Sequence, residues 1–122
     1  MSPPPQLSGI MAKLLFAYTE WSNTTRHIKK MRRYSIGIKI DVLFSDIIEL
    51  VSLTQFSPKE SKDTLLQRAI TKNDCLKFML YVLVELNGID DVYFFSLAPK
   101  IEEIGKMLYG WKQNTSKNSS FV

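Results

Sequence analysis

The chain has 122 residues with 16 Lys and Arg against 12 Asp and Glu, a net charge of +4, and 45% of it is hydrophobic. One domain of this size buries roughly two thirds of its unfolded surface, and 45% hydrophobic with 23% charged content is ordinary for a soluble globular protein. No apolar run approaches the ~20 residues of a membrane span, which excludes a helical span.

No basic-plus-apolar leader opens the chain, and Cys75 is its one cysteine, so no internal disulfide can form. A reducing, cytoplasmic setting is expected. The sequons at Asn23, Asn114 and Asn118 then read as chance matches. Of the 5 prolines, three stand together at Pro3 to Pro5, and only 5 glycines are present. With so few breakers elsewhere, long helices are favoured over many short strands.

Residues 1–6 read as an extended N-terminal lead. From Leu7, the spacing of Leu7, Met11, Leu14, Tyr18 and Trp21 predicts a first amphipathic helix, ending at Ser22-Asn23-Thr24-Thr25. A second is predicted from about Tyr34 to Gln55, with Ile36, Ile40, Leu43, Ile47, Leu50 and Val51 as its buried stripe. Asp41, Ser45, Asp46 and Glu49 break the alternation a strand would need.

Ser57-Pro58-Lys59-Glu60 predicts the start of the third helix, with Ser57 as N-cap and Glu60 closing a capping box. That helix is expected to run to Asn87, with Gly88 as a left-handed stop. Leu65, Ala69, Leu76, Met79, Leu80 and Leu83 form its inner face. Phe78, Tyr81 and Val82 point away from that face, so the helix is apolar on two sides. A domain with one core has no use for the second side, and an oligomer interface is expected there.

The fourth helix carries Leu97, Ile101, Ile104, Leu108 and Trp111. Two starts fit Pro99. Asp90 or Asp91 caps a helix that the proline kinks, or Ser96 caps a helix that holds the proline in its first turn. Gly110 is expected to end it, leaving residues 113–122 as a polar tail. The fold class is all-α, an up-down four-helix bundle over residues 7–112.

The connection between the first two helices is the most charged stretch of the chain. In RHIKKMRRYSIGIKI, running from Arg26 to Ile40, five cations occupy eight positions: Arg26, Lys29, Lys30, Arg32 and Arg33. Lys39 follows a turn or so inside the second helix. Such density creates a local positive field suited to phosphate or to an acidic protein surface. Arg binds phosphate bidentately, while His27 and Tyr34 offer rings on which a base could stack. No base-reading motif accompanies them, so nucleic-acid binding is expected to be electrostatic and weakly sequence-selective.

Catalytic chemistry finds little support. His27 and Cys75 are each alone, which argues against a metal site or a hydrolytic triad, and no glycine-rich phosphate loop occurs. No cofactor is expected. Cys75 beside the Leu76 stripe reads as a packed thiol.

Two motifs are familiar together. Arg33-Tyr34-Ser35-Ile36-Gly37 and Ile104-Gly105-Lys106-Met107-Leu108-Tyr109-Gly110-Trp111 resemble the Avd-like four-helix bundle family. Its members are accessory variability determinants of diversity-generating retroelements, related to bundle proteins encoded in ribosomal RNA intervening sequences. The resemblance covers Leu14 to Trp111 and implies a homopentamer that binds nucleic acid and a reverse transcriptase without catalysing a reaction. The family's usual Phe-Pro before Arg-Tyr is absent, and Lys29-Lys30-Met31 makes the connection unusually basic. Two other readings compete: a protein-interaction adaptor docking an acidic partner, and an RNA-associated bundle of the intervening-sequence type with no reverse transcriptase.

Overall fold

The structure, a computed structural model, describes residues 9–120, and every element among them is helical. Helix α1 spans Gly9–Thr24. A 3-10 turn at Thr25–His27 leads to the short α2 (Lys30–Arg32), a π-helical turn at Arg33–Gly37, and α3 (Ile38–Phe56). Two long helices complete the chain, α4 (Lys59–Glu85) and α5 (Asp91–Ser120). The expected lead at residues 1–6 and the stripe position Leu7 lie outside the described residues.

The stripes read from periodicity become one core. Met11, Leu14 and Trp21 of α1 meet Ile40, Leu43, Ile47, Leu50 and Val51 of α3. Ala69, Leu76, Leu80 and Leu83 of α4 and Leu97, Ile101, Ile104 and Leu108 of α5 close it. Helix α3 packs on α4, α4 on α5, α5 on α1, and α1 on α3, so the four long helices enclose a single interior. Trp21 and Phe44 are wholly buried and stack with ring centroids 6.4 Å apart. Truncating either to Ala would cost about 3–5 kcal/mol.

Polar cross-links fix the register of neighbours. The Tyr18 hydroxyl donates to Asp41 at 3.1 Å, and Lys72 meets Asp46 at 3.0 Å. Lys77 pairs with Glu102, Lys13 with Glu103 and Lys100 with Glu20, at 2.6, 3.0 and 2.9 Å. Partly exposed pairs of this kind contribute no more than about 1 kcal/mol each. Burial stabilises the fold; these pairs orient it. Asn73 is the buried exception, donating from Nδ2 to the Ile101 carbonyl at 3.0 Å. Gly105 makes room for it, since a Cβ there would stand 2.9 Å from that nitrogen.

Three expectations about helix ends are corrected. Ser57 does not cap α4: it closes α3 in an extended conformation, and its hydroxyl donates back to the Leu53 carbonyl at 2.6 Å. A Ser hydroxyl competes for the carbonyl four residues behind it as readily as for an N–H ahead. Gly88 is not left-handed. Asn87 takes that conformation at φ 59°, and Asn87 and Gly88 N–H donate to the carbonyls of Val84 and Leu83 at 2.9 and 2.8 Å. This is a Schellman stop with Asn at the left-handed position. Gly88 is needed for space instead, because a Cβ would lie 2.4 Å from Leu83 Cδ1.

Of the two starts that fit the fourth helix, the early one occurs: α5 begins at Asp91 and holds Pro99 inside. Ser96 caps nothing; its hydroxyl donates to Glu20 at 3.1 Å. The third correction is at Gly110, where the helix does not stop. Open space surrounds that glycine, and α5 continues to Ser120 with Thr115 buried beyond it. The expected tail from residue 113 is therefore helical as far as residue 120. Trp111 lies half-buried against the core on the way.

Candidate nucleic-acid interface

The joint between α1 and α3 is held from several sides. Thr24 and Thr25 hydroxyls donate to the Glu20 and Ser22 carbonyls at 2.8 and 2.7 Å, closing the end of α1. Ile28 then drops into the core as a buried anchor. The Lys29 N–H donates to the Gly88 carbonyl at 2.9 Å, tying the joint to the turn between α4 and α5. His27 stacks on Tyr93 with centroids 4.9 Å apart and planes within 19°. The Lys29 carbonyl accepts from Arg32 and Arg33 N–H groups at 2.9 and 3.0 Å, and helical structure resumes there.

Arg33 is the internal brace. Its Nη2 donates to the Ile28 carbonyl at 3.0 Å and, more loosely, to the Arg26 carbonyl at 3.4 Å, while its Nε is buried without a partner. The guanidinium is thereby directed at the joint's own backbone. Of the expected contact residues, Arg33 is thus the least free to meet a phosphate.

The others are open. Arg26, Lys29, Lys30 and Lys39 are exposed and Arg32 half-buried, and among the described residues none of the five sits in an ion pair. Elsewhere Lys13, Lys72, Lys77, Lys100 and Lys112 all have carboxylate partners. Lys59, Lys62, Arg68 and Lys106 are likewise outside these ion pairs, so what sets the joint apart is the crowding of its uncompensated cations. Tyr34 is 66% exposed beside it and free to stack on a base, whereas one face of His27 is already covered by Tyr93.

Nothing local in the sequence announces Gly88 or Tyr93 as supports, because both come from the far end of the chain. Residues expected at an oligomer interface are placed in two ways. Phe78 and Tyr81 are 64% and 49% exposed, and Val82 is half-buried. Phe94 and Phe95, which the α4 pattern does not single out, extend the same surface through ring contacts Phe78–Tyr81, Tyr81–Phe94 and Phe94–Phe95 with centroids 6.4, 6.2 and 5.8 Å apart. The aromatic run Tyr93-Phe94-Phe95 is a visible signal for them. Cys75, expected as a packed thiol, is free and exposed.

Among the described residues no three His, Cys, Asp or Glu side chains gather as metal ligands, and no helix is long and apolar enough to cross a membrane. No family model, curated protein or solved structure matches the chain.

Proposed function

We propose that the chain is a non-catalytic, oligomeric accessory protein of the Avd-like kind, binding RNA or DNA through the joint and acting with a reverse transcriptase in the cytoplasm. The uncompensated cations at Arg26, Lys29, Lys30, Arg32 and Lys39 carry this reading. Repulsion among them is relieved by an anionic polymer, and phosphates bind such a patch with little regard to base sequence. An up-down bundle suits it, and the pairs Lys13–Glu103 and Glu20–Lys100 support antiparallel α1 and α5.

The aromatic surface of Phe78, Tyr81 and Phe95 supports a homo-oligomer; five-fold symmetry and the reverse transcriptase follow from the motif resemblance alone. Repeating the joint in each subunit multiplies weak contacts into avidity. Binding to unrelated RNA and DNA sequences, measured across a salt series, tests the reading. Log affinity should fall linearly with log salt, and neutralising Lys29, Lys30 and Arg32 together should flatten the slope by roughly one unit for each phosphate no longer neutralised. An unchanged affinity in that folded variant would reject the site and favour the adaptor reading. Light scattering tests assembly, with Phe78→Asp expected to yield monomers that keep their helical signal.

A further inference from the structure

Between the first turns of α3 and the middle of α4 lies an open groove of about 360 Å³, lined by Lys39, Leu43, Arg68, Thr71, Lys72 and Cys75. Lys39 belongs to both the joint and the groove, so the two surfaces are continuous. Among the described residues Lys39 and Arg68 have no carboxylate partner, while Lys72 meets Asp46 at 3.0 Å. Three cations and one acid leave a net charge of 3 − 1 = +2.

No acid of α4 lines the groove, and Glu60 stands apart from it at the start of the helix, beside Leu53 and Ser57. Asp74 lines the opposite, α5-facing side with Lys77, and Asp63 pairs with Lys112. The side of α4 turned toward α3 is therefore cationic over residues 68–72.

We propose that this groove carries a nucleic-acid backbone onward from the joint, with Arg68 and Lys72 as further phosphate contacts. The proposal rests on the joint's reading as a nucleic-acid site and gives the bound strand a direction along the α3–α4 face. Arg68 and Lys72 stand four residues apart, about 6 Å along the helix. A strand carries one charge per roughly 3.4 Å, so the two side chains meet separate phosphates. Arg68 can grip one bidentately. The Thr71 hydroxyl adds a neutral donor, now directed at the Gln67 carbonyl at 3.0 Å. Lys72 leaves only a weak, exposed pair with Asp46 to engage phosphate. Leu43 supplies the apolar wall, and the amide in the lining, Gln67, donates to the Thr71 hydroxyl at 3.4 Å, so the grip is on the backbone and not on sequence.

Cys75, the chain's one thiol, lies in the groove and reports its occupancy. The full-length protein is titrated into fluorescent single-stranded RNA, single-stranded DNA and duplex DNA near 0.1 M salt. Maleimide labelling of Cys75 is then timed with and without saturating ligand. Arg68→Gln should weaken binding roughly 5- to 10-fold and reduce the salt slope by about one. Arg68→Lys should restore most of the affinity, and bound nucleic acid should slow Cys75 labelling several-fold. The three ligands decide which backbone the groove takes.

Unchanged affinity in Arg68→Gln with undiminished labelling, alongside weakened binding in the Lys29/Lys30/Arg32 variant, would overturn the groove and leave the joint standing. Protection of Cys75 together with a joint variant that binds normally would do the reverse. Absence of binding to all three ligands would remove both.

Discussion

The chain joins packed helices after α1 and again after α3, and the two connections are built very differently. After α3, Ser57 and Pro58 suffice: one hydroxyl turned back on Leu53 and a proline at the start of α4. After α1, the chain takes a 3-10 turn, the short α2 and a π-helical turn, with a buried Ile28, an inward Arg33 and ties to Gly88 and Tyr93. Joining two packed helices does not by itself demand that apparatus. A surface of crowded like charges does, because side chains that repel one another hold no fixed arrangement unless the backbone beneath them is fixed.

Removing cations from one connection and then from the other should separate them most widely. Neutralising Lys29, Lys30 and Arg32 should lower nucleic-acid affinity by roughly 10²–10³-fold near 0.1 M salt. Neutralising Lys59 and Lys62 beside the simple connection should change it less than about 3-fold. Fluorescence anisotropy on one RNA ligand reads both. Equal reductions would mean that overall charge, and not the built joint, governs binding.

Stability effects come next. Gly88→Ala forces a Cβ to within 2.4 Å of Leu83 Cδ1, at the turn that receives the Lys29 N–H. The expected loss is about 1–3 kcal/mol, read from the urea midpoint. Arg33→Met removes the donor from the Ile28 carbonyl and should cost about 1–2 kcal/mol. Faster amide exchange at Lys29 would separate a loosened joint from general destabilisation. The smallest effect belongs to Ser57→Ala. Because that hydroxyl caps nothing in α4, stability should change by less than about 0.5 kcal/mol.

Burial stripes were legible because a helix repeats its environment every three or four residues, and Ile40–Val51 and Leu97–Leu108 declare their inner faces by spacing alone. Helix ends were less so. Ser57-Pro58 has the chemistry to open a helix or to close one, and only the placement of Leu53 decides it. Asn87 and Gly88 were placed at the right turn with their roles exchanged, since either residue tolerates the left-handed region and only Leu83 discriminates between them. Gly110 misled because a single glycine weakens a helix by about 1 kcal/mol, and burial of Leu108 before it and Thr115 after it outweighs that.

At the candidate site the charge was plain from composition. The scaffold was not, because Arg33 looks like its neighbours in sequence. What sets it apart is two backbone carbonyls, at Ile28 and Arg26, that come within its reach only after the joint has folded.

The hydrogen bond from Lys29 to Gly88 and the stack of His27 on Tyr93 also bear on when the site comes into being. A ribosome delivers every cation of the joint well before it delivers the residues that shape it. Chains emerge at about 5–20 residues per second, so several seconds separate the synthesis of Arg33 from that of Tyr93. During that interval the basic stretch is an unshaped run of charge without the contacts that hold its backbone in place. The joint takes its final shape only when α4 has turned into α5. A nascent or truncated chain ending before Gly88 therefore keeps all of the charge and lacks the organised site.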